Sequence, residues 1–303
     1  MALANVRRWL AAVLLLSLAP LSWALPPYMA GTKQAAGEVK AQIEQVERKL
    51  QAEGFNVIGR HLPTGLAQHG SVIVTDRALL DAVRSVGGVA IVGAGLRVGV
   101  KSDGSVSYMN PEYWYRAYLR GGFDAAQPAV RSAQERLAKA LGIGAGFGGD
   151  VPAAELADYR YMFGMERIDS VRNELRSFTS FDEALRTVQD NLAKGVGATA
   201  KVYEVVMPQS RLAVIGVALN DAEHGEAWWA GKIGPDHVAA LPYEIHRRRQ
   251  GVCAVRALPD RLVVAGLGHG PVHGHRACAR CDSHDNGATR WRERSLAPAT
   301  AAT

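Results

Sequence analysis

Two stretches of this chain carry the same apolar spacing and the same punctuation behind it. Within residues 37–53, Val39, Ile43, Val46 and Leu50 fall at intervals of four, three and four, one stripe of an amphipathic helix. Gly54 stops that helix. Residues 55–63 then read as a strand closed by Pro63, and residues 71–76 as a second strand. The pattern recurs. Ser180 and Glu183 form a capping box ahead of Phe181, Leu185, Val188 and Leu192, again at intervals of four, three and four. Gly195 ends this helix, a strand over 200–208 closes on Pro208, and a strand over 211–218 follows. Stripes of this kind must be covered, and the economical way is to lay each helix on a sheet. The expected fold class is therefore α+β, with two related small units and an irregular C-terminal tail.

Between these blocks, residues 77–86 read as a helix. Residues 89–100 are apolar, β-branched and glycine-punctuated, which predicts a buried strand. Asp103-Gly104 predicts a hairpin turn into a strand over 105–109. A helix is expected over 127–141, then a flexible joint over 142–152. The domain plan is a leader over 1–24, a first unit over 25–150, a second over 151–245 and a tail over 246–303. With 48% hydrophobic and 21% charged residues, the chain has the composition of a globular protein.

The first 24 residues have the three parts of a secretory signal. Arg7 and Arg8 precede an apolar run over 9–19, and Ser22 and Ala24 place small residues at −3 and −1 of a cut after Ala24. The apolar run is short for a membrane anchor, and Pro26-Pro27 follows at once. The expected location is the periplasm or the exterior, with no membrane attachment after cleavage.

The formal net charge is +6, which on its face suggests nucleic acid. It is not spread along the chain. Residues 246–303 hold ten Arg, no Lys and four acids, so the whole excess lies there. Residues 25–245 carry 23 basic and 25 acidic side chains, a balance of −2. The mature body gives no reason to expect nucleic acid. The tail also holds all three Cys and five of the nine His, and no Phe or Tyr. Such an abrupt shift marks a disordered segment or a shifted reading frame. The peptide at 269–275 can be encoded so that a one-base shift reads Met-Gly-Gln-Phe-Met-Gly.

Several constellations could carry chemistry. The densest aromatic cluster is Tyr108, Asn110, Glu112, Tyr113, Trp114 and Tyr118. Aromatic faces with hydroxyl and N–H handles suit a small-ligand pocket, and equally a core. The loop Asp221, Glu223, His224 and Glu226, with His237 downstream, offers His224 and His237 as metal ligands or acid–base groups, or is a solvated loop. Trp228-Trp229 beside it could be a binding lip or core. In the tail, His273, His275, Cys278, Cys281 and His284 could complete a zinc site, although strand and turn signals around them are missing. Gly93, Gly95 and Gly99, like Gly144, Gly146 and Gly149, lack the strand-to-helix setting of a dinucleotide loop and read as turn or close-packing glycines. No nucleophile–histidine–acid spacing stands out, and no cofactor is expected. These features favour a non-enzymatic binder of a small molecule or a protein. The alternative is a metal-assisted or acid–base enzyme using Glu112 and the 221–237 loop.

Residues 54–59 (GFNVIG), 96–100 (LRVGV), 107–119 (SYMNPEYWYRAYL) and 241–245 (LPYEI) resemble exported bacterial proteins related to the domain of unknown function 302. The resemblance spans roughly 37–245, and the Tyr-Met-Asn-Pro-Glu-Tyr-Trp run is its most specific part. It implies tandem small α+β units and supplies no catalytic residues. It also implies a further hydrophobic strand after Ile245, a pattern from which this chain departs at His246.

Overall fold

A computed structural model describes residues 24–158, 174–247, 252–256, 280–282 and 290–292. The leader expected over 1–24 thus lies outside the described residues save for Ala24, as does most of the tail.

The first half is a six-stranded antiparallel sheet under helices. Its arm begins with β1 (Ala24–Leu25) and β2 (Tyr28–Ala30). The first apolar stripe is α1 (Val39–Ala52), whose Val39, Ile43, Val46 and Leu50 are all buried. The hairpin β3 (Asn56–His61) and β4 (His69–Thr75) follows, with a bulge between Val57 and Gly59. Asp76 caps α2 (Arg77–Val86) by accepting the Leu79 N–H at 3.0 Å. The chain continues through β5 (Leu96–Lys101), β6 (Val106–Met109), α3 (Pro111–Leu119), α4 (Phe123–Leu141), β7 (Gly146–Phe147) and β8 (Val151–Pro152). The strand order is β3-β4-β5-β6-β2-β7, while β1 pairs separately with β8.

One expectation here is corrected. Residues 89–100 do not form a single strand: Gly88–Ala94 is a 3₁₀ helix, and only Leu96–Lys101 is strand. An apolar run without period cannot separate a buried strand from a buried helical turn. Tertiary hydrogen bonds decide it, since the Tyr115 hydroxyl donates to the Gly93 carbonyl at 2.5 Å and the Thr75 hydroxyl to the Ala94 carbonyl at 2.7 Å.

The second half is a five-stranded antiparallel sheet. It comprises β9 (Glu174–Ser177), α5 (Phe181–Ala193), β10 (Thr199–Met207), β11 (Leu212–Leu219), α6 (Glu226–Ile233), β12 (Tyr243–Arg247) and β13 (Val252–Arg256), in the order β10-β11-β12-β13-β9. The edge expected at residue 245 falls inside β12, and β13 lies between β12 and β9. A further pair, β14 (Arg280–Asp282) and β15 (Arg290–Arg292), is antiparallel. Helix, bulged strand and strand occur in both halves in the same order, the second bulge lying between Lys201 and Tyr203.

β11 shows how the halves join. Leu212 and Val214 point into the main core with residues of the first sheet. Ile215 and Val217 point the other way, under Ala184, Val188 and Leu192 of α5. A strand covered on both faces reads as a continuous apolar run, as this one does. The main core also takes Tyr203, Trp229, Leu241 and Tyr243 from the second half. Glycine makes the contact close: a Cβ on Gly99 of β5 would lie 2.4 Å from Val238 Cγ1, and one on Gly216 of β11 would lie 2.2 Å from the Tyr203 ring. Gly93, Gly95 and Gly99 are thus packing glycines.

Candidate functional site

The aromatic cluster at 108–118 is enclosed. Tyr113 and Trp114 are 0% exposed, and Tyr108, Asn110 and Tyr118 are buried with them. Ring centroids lie 5.2 Å apart for Tyr113–Trp114 and 5.6 Å for Trp114–Tyr118, an edge-to-face and tilted arrangement suited to a core. The polar handles are used within the chain. Tyr108 donates to the Gly142 carbonyl at 2.9 Å, and burial pushes its phenol up. Asn110 Nδ2 donates to the Pro26 carbonyl at 2.8 Å, and Trp114 Nε1 to the Pro27 carbonyl at 2.7 Å. Glu112 is the partly exposed member. It accepts from Arg116 at 2.8 Å, and that guanidinium sits 4.1 Å from the Phe123 ring centroid. The rings of Tyr108, Tyr113, Trp114 and Tyr118 are thus turned into the core.

The 221–237 region divides into three environments. Asp221 accepts the backbone N–H groups of His224 at 2.6 Å and Glu223 at 2.9 Å, which hold its carboxyl below the usual range. His224 stands at the surface, with Nδ1 3.6 Å from Asp221 Oδ1. His237 is buried between the rings of Phe147 at 5.3 Å and Tyr28 at 5.8 Å. The two expected metal ligands thus occupy different surroundings. Among the described residues, no three His, Cys, Asp or Glu side chains gather as a metal would need. Of the tail set, His273, His275, Cys278 and His284 lie outside the described residues, and Cys281 falls in β14.

Glu226 opens α6 and is 0% exposed. Its Oε2 lies 2.7 Å from Nε2 of His61, which ends β3 and is also buried. Burial pushes the Glu226 carboxyl up, and the bond from His61 pulls it partly back. This pair pins the start of α6 to the first sheet. One turn on, the two tryptophans part: Trp229 is buried against Tyr243, whereas Trp228 is 37% exposed. Lys232 Nζ lies 5.3 Å from the Trp228 ring centroid, and the His224 ring lies 6.4 Å away. An indole thus stays exposed between two cationic or ionisable side chains, on a helix anchored by a buried pair.

Spacing alone did not find a second buried cluster. Arg97 of β5 and Glu244 of β12 are both 0% exposed and form an ion pair through Arg97 Nη1 and Glu244 Oε1. The Tyr203 hydroxyl donates to the same carboxylate oxygen, and Arg97 Nε donates to the Ala239 carbonyl at 3.1 Å. Burial works against the guanidinium charge, but Glu244, helped by Tyr118, Tyr203 and Tyr28, outweighs it and keeps the group protonated. The signal was there to read: one Arg in the apolar run 96–100 and one Glu in 241–245. With both groups sealed from solvent, the cluster is suited to fixing the register of the two halves. Among the described residues, no helix is long and apolar enough to cross a membrane. Comparison with protein-family models and with curated proteins matched nothing.

Proposed function

We propose that the protein is exported through its leader, cut after Ala24, and acts in the periplasm or outside the cell as a non-catalytic binder of a small molecule or protein partner. The observation that carries this reading is the exposed Trp228 edge between His224 and Lys232, on a helix held by His61–Glu226. An indole that stays at the surface of an anchored helix offers contact area at little entropic cost. The near-neutral balance of residues 25–245 supports a partner other than nucleic acid. The helix–hairpin order in both halves supports reading them as related units in the manner of the domain of unknown function 302.

The acid–base alternative, with Glu112 and the 221–237 loop, has one observation in its favour: Glu226 carries a raised carboxyl beside His61. Both groups are buried and so withheld from a substrate, which favours the anchoring role.

The test is a thermal-shift and tryptophan-quenching screen with amino acids, oligosaccharides, fatty acids and phosphorylated metabolites. The expected result is a shift with one class that Trp228→Ala abolishes, at a stability cost within about 1 kcal/mol. No response to any class, or a response unchanged by the substitution, overturns this surface as a small-ligand site. Mass spectrometry of exported protein should find Leu25 at the N-terminus; an intact Met1 overturns export by cleavage.

A further inference from the structure

Two of the six residues at 108–118, Asn110 and Trp114, hydrogen-bond through their side chains to the chain's own arm at 24–30. The arm pairs with β8 through β1 and enters the six-stranded sheet through β2. β2 lies between β6 and β7, with Tyr28 opposite both Met109 and Phe147. Its approach is held by backbone carbonyls. Pro26 accepts from Asn110 Nδ2 at 2.8 Å, and Pro27 accepts from Trp114 Nε1 at 2.7 Å and from the Asn110 N–H at 2.9 Å. Tyr28 is fully buried, its ring 5.7 Å from Trp114 and 5.6 Å from Phe147. Upstream, Ala24 and Leu25 are paired with Pro152 and Val151. The expected cleavage bond, Ala24–Leu25, therefore lies inside a paired strand, one and two residues before the captured carbonyls.

We infer that Asn110 and Trp114 form a docking site for the chain's own Leu-Pro-Pro-Tyr arm, and that the leader is removed only while the arm is undocked. This rests on the export reading. A protease takes its substrate as an extended strand whose backbone groups are free to pair with the enzyme. Here the groups flanking the scissile bond already pair with β8, Asn110 and Trp114. Hydrolysis adds one water across the Ala24–Leu25 amide, leaving a carboxylate on Ala24 and an ammonium on Leu25. The arm so released then completes the sheet, so maturation and the closing of β2 between β6 and β7 occur in that order.

Gly146 gives a gentle way to unseat the arm. It lies on β7 at the surface, and a Cβ there would stand 2.2 Å from Pro26 Cγ and 2.8 Å from Pro26 Cβ. Full-length precursor made without membranes is offered to a purified leader peptidase, either after refolding or during dilution from urea. Cutting at Ala24–Leu25 should be roughly tenfold or more slower for the refolded chain, because it must wait for local opening. Refolded Gly146→Ala should lose most of that protection, with a thermal melt confirming that it has folded; Asn110→Ala serves as a second unseating variant. Equal cutting of refolded and diluting wild type overturns the order of events. Full protection in both folded variants overturns the docking site. No cutting even during dilution from urea overturns the export reading itself.

Discussion

Arg97 and Glu244 show what one residue can decide in this protein. A charge buried without its partner costs far more than the pair contributes, because neither ion recovers its lost hydration. Arg97→Met should therefore destabilise the fold by about 3–5 kcal/mol in a urea melt, and Glu244→Leu by a similar amount. The double substitution should recover most of the loss; additive losses would show that the two side chains are not coupled. Tyr203→Phe removes a hydrogen bond to a carboxylate and should cost about 1.5–3 kcal/mol. Glu226 makes a different prediction. Its folded carboxyl is raised above the ordinary 4.5, so its contribution is fully present below that value. That contribution is lost as pH rises through the raised folded value. Urea midpoints taken upward from pH 4.5 should fall more for wild type than for Glu226→Gln; parallel curves would show that burial at this site carries no proton linkage.

Elements were legible where one face is apolar and the other wet. α1, α2 and α5 follow from stripes and stops, and the turn at Asp103-Gly104 follows from its dipeptide, with Gly104 at φ 85°. The capping box at α5 is also present, in a shifted form. Ser180 Oγ accepts the Glu183 N–H at 3.1 Å, while Glu183 Oε2 reaches back to the Thr179 N–H at 3.0 Å rather than to Ser180. Ser180→Ala should cost about 0.5–2 kcal/mol, and Ser180→Gly less, as measured by thermal melting; an unchanged midpoint would show that water replaces the cap. Elements covered on all sides were harder to read. Residues 88–94 carry no period because every side chain there finds a neighbour, and tertiary bonds from Thr75 and Tyr115 choose the 3₁₀ form. The aromatic run at 108–118 was legible as a cluster but not as a clamp. Its partner is the arm, about 80 residues earlier in the chain, and that pairing leaves no mark in local spacing.

At the scale of the whole molecule, the two halves share the main core, and a smaller second cluster lies between α5, β11 and β12. Main-core residues come from β5 and α3 on one side and from β10, β11 and β12 on the other. The segment at 235–240 lies against β5, where Gly99 has room for no side chain. Val238 Cγ1 and the Ala239 N–H would lie 2.4 Å and 2.8 Å from an added Cβ, and the second of these is backbone that cannot turn aside. Gly99→Ala must therefore push the halves apart, at a cost of about 1–3 kcal/mol. Where that cost appears tests whether the halves are coupled. In a leader-free Trp228→Phe/Trp291→Phe background, the two remaining indoles are Trp114 in the first half and Trp229 in the second, both buried. With a shared core, fluorescence of Trp229→Phe and of Trp114→Phe should each follow the same single transition as far-UV circular dichroism, and Gly99→Ala should lower every midpoint together. If the Trp229 signal instead melts ahead of the Trp114 signal, the halves are separable cooperative units, and the Arg97–Glu244 pair bridges them without joining their unfolding.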